Sequence, residues 1–245
     1  MDEQSWIQAN WSAPAHIKAG CTTRRGGHSL GPYASLNLAM HVGDDPKLVQ
    51  RNRDSLKTYL HLPRDPHWLT QVHGCQVSSD DQVLAEADAC LTIQPGRVCV
   101  VMTADCLPVL ITDRSGTCVA AVHAGWRGLA NGAIGQTIQR LPVAAKELLA
   151  WLGPAIGPQA FEVGEEVLNR FVELHDGYRD AFTTHNNKWL MDIYRAARVQ
   201  LAMLGVTDVS GGDYCTYENA DLFYSYRREH QTGRMASLIW IGTGK

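Results

Sequence analysis

No stretch of this 245-residue chain approaches the ~20 consecutive apolar residues that span a bilayer, so a membrane-spanning helix is excluded. The segment Met1-Asp2-Glu3-Gln4-Ser5-Trp6 lacks the basic and apolar regions of a secretory signal. Positive charge is not in excess: 22 Lys and Arg stand against 25 Asp and Glu, for a net charge of −3. A nucleic-acid surface needs a basic patch, so no nucleic-acid partner is expected, and no membrane partner either. The seven cysteines are odd in number and show no framework spacing. Disulfides are therefore not expected, and a reducing, cytoplasmic compartment fits best. No repeat, low-complexity segment or Pro/Gly/Ser-rich linker divides the chain, and Ser78-Ser79-Asp80-Asp81 is long enough only for a loop. A single domain over 1–245 is the economical reading, at a length that buries a sizeable core.

What is present is an alternation of strand and helix signals. Pro46 to Leu60 reads as a helix, with Asp44 or Asp45 as its N-cap and Leu48, Val49, Leu56 and Leu60 at helical spacing. Trp68 to His73 reads as a short strand ended by Gly74. Val98 to Met102 is a β-rich apolar run suited to a strand buried on both faces. Val109–Thr112 and Thr117–Val122 flank Asp113-Arg114-Ser115-Gly116, a hairpin signal. Leu148–Leu152 and Met235–Ile241 read as strands, and Leu129–Leu141 and Leu190–Leu204 as amphipathic helices, the second stopped by Gly205. Mixed order with an antiparallel hairpin predicts an α/β (α+β) layered sandwich with mixed sheets.

The hairpin carries a chemical implication. Placing Asp113 opposite Gly116 sets Thr112 opposite Thr117 and Cys106 opposite His123. Opposed residues of an antiparallel pair share a face, with Cβ atoms about 4.5–5.5 Å apart. Such a Cys/His pair has three readings: satisfied core residues, a nucleophile–base dyad, or two ligands of a catalytic metal site. His73, in Gln71-Val72-His73-Gly74, is the natural third ligand. Asp105 sits beside the cysteine as a candidate orienting group or general base. After His123 comes Ala124-Gly125-Trp126-Arg127-Gly128 and then a helix, so backbone amides and Arg127 are placed to meet an anion.

These segments and several others together resemble the YfiH/PgeF family, also called the laccase-domain or multicopper polyphenol oxidase family. The resemblance runs in order through Thr22-Thr23-Arg24-Arg25-Gly26-Gly27, Ser35-Leu36-Asn37-Leu38, Asn52-Arg53, Gln71–Gly74, Thr103–Pro108 and His123–Gly128. It continues through Trp151–Pro158, Phe161–Gly164 and Tyr224–Arg228. Arg25 departs from the family pattern, which has an apolar residue there.

The resemblance implies a YfiH-like fold and a zinc site from His73, Cys106 and His123, with copper as the alternative ion. It implies Arg53 near the substrate, with Arg24, Asn37 and Arg127 as further substrate-binding candidates. It also implies purine nucleoside chemistry: phosphorolysis of adenosine, inosine and methylthioadenosine, and deamination of adenosine. Peptidoglycan editing, by hydrolysis of serine-containing muropeptide precursors, is the related alternative. The laccase label implies polyphenol oxidation, but the ten histidines include no His-x-His pair from which a multicopper centre is built. A metal-free Cys106–His123 hydrolase and a zinc-stabilised binding module are the readings from other classes. The expected partners are a small-molecule nucleoside and phosphate, on a monomer or weak homodimer.

Overall fold

The computed structural model describes residues 3–243; the start of the acidic N-terminal segment, Met1-Asp2, lies outside them. Strands β1 (Trp6–Gln8) and β2 (Ile17–Thr22) are followed by helix α1 (Pro46–Tyr59). Then come β3 (Val77–Ser78), β4 (Ala89–Thr92), β5 (Val98–Thr103), β6 (Leu107–Asp113) and β7 (Val119–Ala124). Helices α2 (Trp126–Ala130) and α3 (Ala133–Arg140) precede β8 (Leu148–Leu152), β9 (Glu162–Val163) and α4 (Glu165–Leu174). The chain continues with β10 (Phe182–His185), β11 (Lys188–Met191), α5 (Ile193–Met203), β12 (Asp208–Gly211), α6 (Tyr226–Glu229) and β13 (Met235–Ile241).

The strands form a mixed six-stranded sheet, β12-β8-β6-β7-β4-β3, a four-stranded sheet, β1-β2-β13-β5, and a small β10-β11-β9 sheet. Alternation along the strands builds the layers. On β6, Leu110 faces Val101 and Ile239 of the four-stranded sheet, while Val109 and Ile111 join Ile134, Leu201 and Phe171 of the helices. On β5, Cys99 and Val101 face inward, and Val98 and Val100 pack against Leu56 of α1 and the Leu36–Leu38 loop. These strands are covered on both sides, which is why their sequences read as unbroken apolar runs. The result is the predicted α/β sandwich with mixed sheets.

Local signals explain most boundaries. Asp45 caps α1 by accepting from the Lys47 N–H, with Pro46 at the first helical position. Gly205, at φ 87°, takes the left-handed conformation that ends α5. Three expectations need correction. The helix expected over 129–141 is two helices, α2 and α3, interrupted where Gly132 adopts φ 83°. Leu190 and Met191 belong to β11, and Asp192 starts α5 by capping the Arg195 N–H. In place of the strand expected over 68–73 there are only single bridges, Thr70 to Glu86 within it and His67 to Cys99 just before it. Gln71 takes the place of a strand partner, its side-chain amide bonding both the N–H and the C=O of Met102 on β5.

The hairpin register is shifted by two residues from the expected one: Pro108, not Cys106, lies opposite His123, and Thr112 lies opposite Val119. The cause is Asp113. The expected turn forms, Gly116 N–H bonding to the Asp113 carbonyl, but the Asp113 carboxylate also accepts from the Thr117 and Cys118 N–H groups. Two residues are thereby drawn into the turn. A slip of two keeps every side chain on its original face, so Cys106 and His123 still share one.

Candidate metal centre and active site

Cys106 immediately precedes β6, and His123 lies near the end of β7. Asp105 between them and β5 has φ 92°, a left-handed bend that re-aims the chain at the strand end. Gly125 is required beside it, because a Cβ there would stand 2.8 Å from the Cys106 Sγ. His73 arrives from the irregular 71–74 segment, also in the left-handed region at φ 60°. One ligand atom from each of His73, Cys106 and His123 lies within 4.8 Å of the others. This is the one such group among the described residues.

Asp88, fully buried at the start of β4, holds two of the three ligands. One carboxylate oxygen receives the His123 Nδ1 at 2.7 Å. The carboxylate also accepts from the N–H groups of Val72, His73 and Gly74, at 3.2, 2.9 and 2.7 Å. The strained 71–74 turn is thus tied to the histidine it must face. With Nδ1 engaged, the His123 ring offers Nε2 as its free nitrogen, the arrangement that orients metal-bound imidazoles.

Charge follows from the same contacts. Burial pushes the Cys106 thiol up, but the His123 and His73 imidazoles outweigh it and bring it down to about 6. Burial pushes His123 down, but Cys106 and Asp88 hold its proton and raise it to about 9. Without a metal, the pair is a thiolate and an imidazolium at neutral pH. The donor set of two imidazoles and a thiolate, one imidazole backed by a carboxylate, fits a borderline-soft ion such as zinc or copper.

Two cavities meet at this centre, sharing His73, Ala104, Cys106 and Tyr226. The larger, about 420 Å³, has His41, Gln71 and Arg234 on its wall. The smaller, about 230 Å³, is lined by Trp126, Ile156, Phe161 and Ile193, with Arg127 and Arg227 at its edge.

The structure thus gathers His73, Cys106, His123, Asp105 and Arg127 around one place. The Asp105 carboxylate accepts from the Thr216 hydroxyl and the Arg227 N–H, both at 2.7 Å. Arg127 stacks 4.4 Å from the Trp126 ring. Arg53, Arg24 and Asn37 stand back from the cavities. Arg53 donates Nε and Nη2 to the Leu38 carbonyl and lies 3.9 Å over the Trp68 ring. Arg24 pairs with Glu229 at 2.9 Å. Asn37 is buried and bonded to Ala39, Asp44 and the Arg234 N–H. Sequence reasoning missed Asp88, His41 and Arg234. An acid inside the apolar run Ala87-Asp88-Ala89-Cys90 was the available signal for the first.

A layered α/β protein with one three-ligand His/Cys centre at a strand-end cleft is the class that fold and site define. Residues 18–242 match the family described as multi-copper polyphenol oxidoreductase laccase, and the chain belongs to that family. It is 51% identical over 240 residues to a purine nucleoside phosphorylase of Pseudomonas aeruginosa, covering 97% of this chain and 98% of that one. It is 49% identical over 238 residues to the purine nucleoside phosphorylase YfiH of Escherichia coli (strain K12), covering 96% of this chain and 98% of that one. A solved Neisseria meningitidis protein is similar at a TM-score of 0.93 and 46% identity, over 98% of this chain and 100% of that one. YlmD from Geobacillus stearothermophilus is similar at a TM-score of 0.91 and 30% identity, over 99% and 98% of the two chains. Despite the family's description, the described residues supply ligands for a single ion at one place. No helix among them is long and apolar enough to cross a membrane.

Proposed function

We propose that this chain is a zinc-dependent purine nucleoside phosphorylase acting on adenosine, inosine and methylthioadenosine, and that the same centre deaminates adenosine. The observation that carries the reading is the position of the His73–Cys106–His123 group where two cavities meet, one of them walled by aromatic rings. The names of relatives near 50% identity supply the substrate class. A zinc ion held by His73, Cys106 and His123 would supply Lewis-acid polarisation and would acidify a water.

The chain's own residues divide the work. Trp126, Phe161 and Tyr226 offer aromatic walls to a planar purine in the smaller cavity. In phosphorolysis a phosphate oxygen bonds to C1′ as the C1′–N9 bond breaks, and N9 keeps the electron pair and takes a proton. In deamination water adds at C6 and ammonia leaves. Both oxygens of Asp105 already accept hydrogen bonds, so its assigned role is positional. It ties the Cys106 turn to α6 and so keeps Tyr226 over the site. Asp88 orients His123 and the His73 segment.

Cys106, His123 and Asp88 also stand in the order of nucleophile, base and orienting acid, which favours a metal-free thiol hydrolase as the second reading. His73 separates the two, because a dyad does not need it. Chromatography of adenosine and inosine incubated with the protein, with and without phosphate, tests the proposal. The expected products are adenine or hypoxanthine only with phosphate, and inosine from adenosine without it. All should be lost in Cys106→Ala and His73→Ala. Activity that survives in His73→Ala and in metal-stripped protein supports the thiol hydrolase. Untouched nucleosides in metal-loaded protein overturn the purine reading and turn the search to serine-containing muropeptides.

A further inference from the structure

We propose that Arg234 and His41, with Arg53 behind them, form a phosphate subsite in the larger cavity. The inference rests on the phosphorolysis reading and names the place of its second substrate.

The first ground is charge without a carboxylate in contact. Arg24, Arg97 and Arg228 each face a carboxylate within 3.1 Å. Among the described residues, neither Arg53 nor Arg234 has an ion-pair partner. Arg234 is held by the Thr232 and Gly233 carbonyls through Nη1 at 2.9 Å, and its guanidinium lies 5.8 Å from the Tyr226 ring centre. Arg53 is held by the Leu38 carbonyl and the Trp68 face. Carbonyl dipoles and rings fix these cations in place but do not neutralise them. Two half-buried guanidinium groups left this way are costly unless an anion joins them. Desolvation lowers Arg53 to about 10 and lowers Arg234 as well, yet both remain charged at neutral pH.

The second ground is convergence. Arg234 and His41 line the larger cavity and not the smaller one. The charges of both Arg234 and Arg53 reach His41 and, after desolvation, push it below the ordinary imidazole value. Arg234 shares the wall of this cavity with His73, Cys106 and His123, which sets the cation beside the centre. A flat fork of donors on that wall suits a tetrahedral dianion better than any neutral group.

The third ground is the frame. Asn37 accepts from the Arg234 N–H, and Asn52 donates to the Asn37 carbonyl at 2.8 Å. Asn52 also bonds Ser29, Ser35 and the His28 N–H, and it precedes Arg53 on α1. The buried asparagines of the Asn37 and Asn52-Arg53 motifs therefore hold both arginines in register. Two other anion candidates do not qualify. Arg24 is neutralised by Glu229, and the Gly125 turn opens a helix of only five residues.

Calorimetric titration of inorganic phosphate into the full chain as purified tests the subsite. Arg234→Gln is expected to weaken phosphate binding by about ten-fold or more, and His41→Asn by about three-fold. Arg127→Gln, in the other cavity, is expected to leave it within about two-fold. In phosphorolysis, Arg234→Gln should raise KM for phosphate by about ten-fold while KM for inosine moves less than about two-fold. His41 is exposed, so its variant answers the question if Arg234→Gln does not fold. Unchanged phosphate affinity in the His41 and Arg234 variants, or loss confined to Arg127→Gln, overturns the subsite. Phosphate that binds and is lost with Arg234, in a protein that cleaves no nucleoside, leaves the subsite standing while the phosphorylase reading falls.

Discussion

One buried carboxylate, Asp88, accepts from the His123 ring and from three consecutive backbone N–H groups that carry His73. Removing it leaves all four donors without their acceptor, the His123 ring in a buried setting. Asp88→Ala should therefore lower unfolding free energy by about 3–5 kcal/mol in urea titration. Asp88→Asn keeps the shape but not the charge, and should keep the fold while weakening metal binding by about 10–100-fold. A Cys106 in the same environment should be distinctive in the metal-stripped protein. Its thiol is lowered to about 6, whereas burial raises Cys21 and Cys118 to about 12. A lowered value means that thiolate persists above it and is lost as pH falls through it. Iodoacetamide should modify Cys106 selectively at pH 7, with the rate falling by half near pH 6; His123→Asn should move that midpoint upward. A midpoint in the ordinary thiol range would dismiss the thiolate–imidazolium pair.

At the scale of elements, turn chemistry decides where the ligands land. Strands β6, β7, β8 and β13 were legible as apolar runs with polar ends, and α1 as a capped, periodic segment. Their periodicity also gave the shared face of Cys106 and His123. The register was not legible, because it depends on the Asp113 side chain competing with the ladder for two N–H groups. The 71–74 segment was misread for a similar reason: Asp88 lies more than a dozen residues away in sequence, and short-range patterns carry no sign of it. Among the site residues, the three proposed ligands could be found by type and spacing. Arg234 could not, since a lone arginine before a buried strand looks like any solvated cation. Two substitutions test the element-level reasoning. Asp113→Ala should cost about 2–3 kcal/mol by freeing buried donors, with activity per folded molecule retained because the core pins the register. Gly125→Ala should keep the fold but displace the Cys106 sulfur, so metal content drops while far-ultraviolet circular dichroism stays unchanged.

For the molecule as a whole, two packed sheets do the structural work, and the chemistry sits where β5, β6 and β7 end together. The sandwich buries those strands on both faces, so the residues at their ends are held by the whole core rather than by flexible loops. The same frame separates a cavity walled by His41, Gln71 and Arg234 from one lined by Trp126, Phe161 and Ile193, and both reach the His73–Cys106–His123 group. The most direct test is to measure bound metal per chain and phosphate-dependent release of hypoxanthine from inosine in the same samples. These samples are the unmodified protein, His73→Ala, Cys106→Ala and His123→Ala. One zinc per chain, with metal and phosphorolysis lost together in all three variants, is the expected result. Phosphorolysis that persists in a variant stripped of its metal, or an unmodified protein with its full zinc and no phosphorolysis, would contradict it.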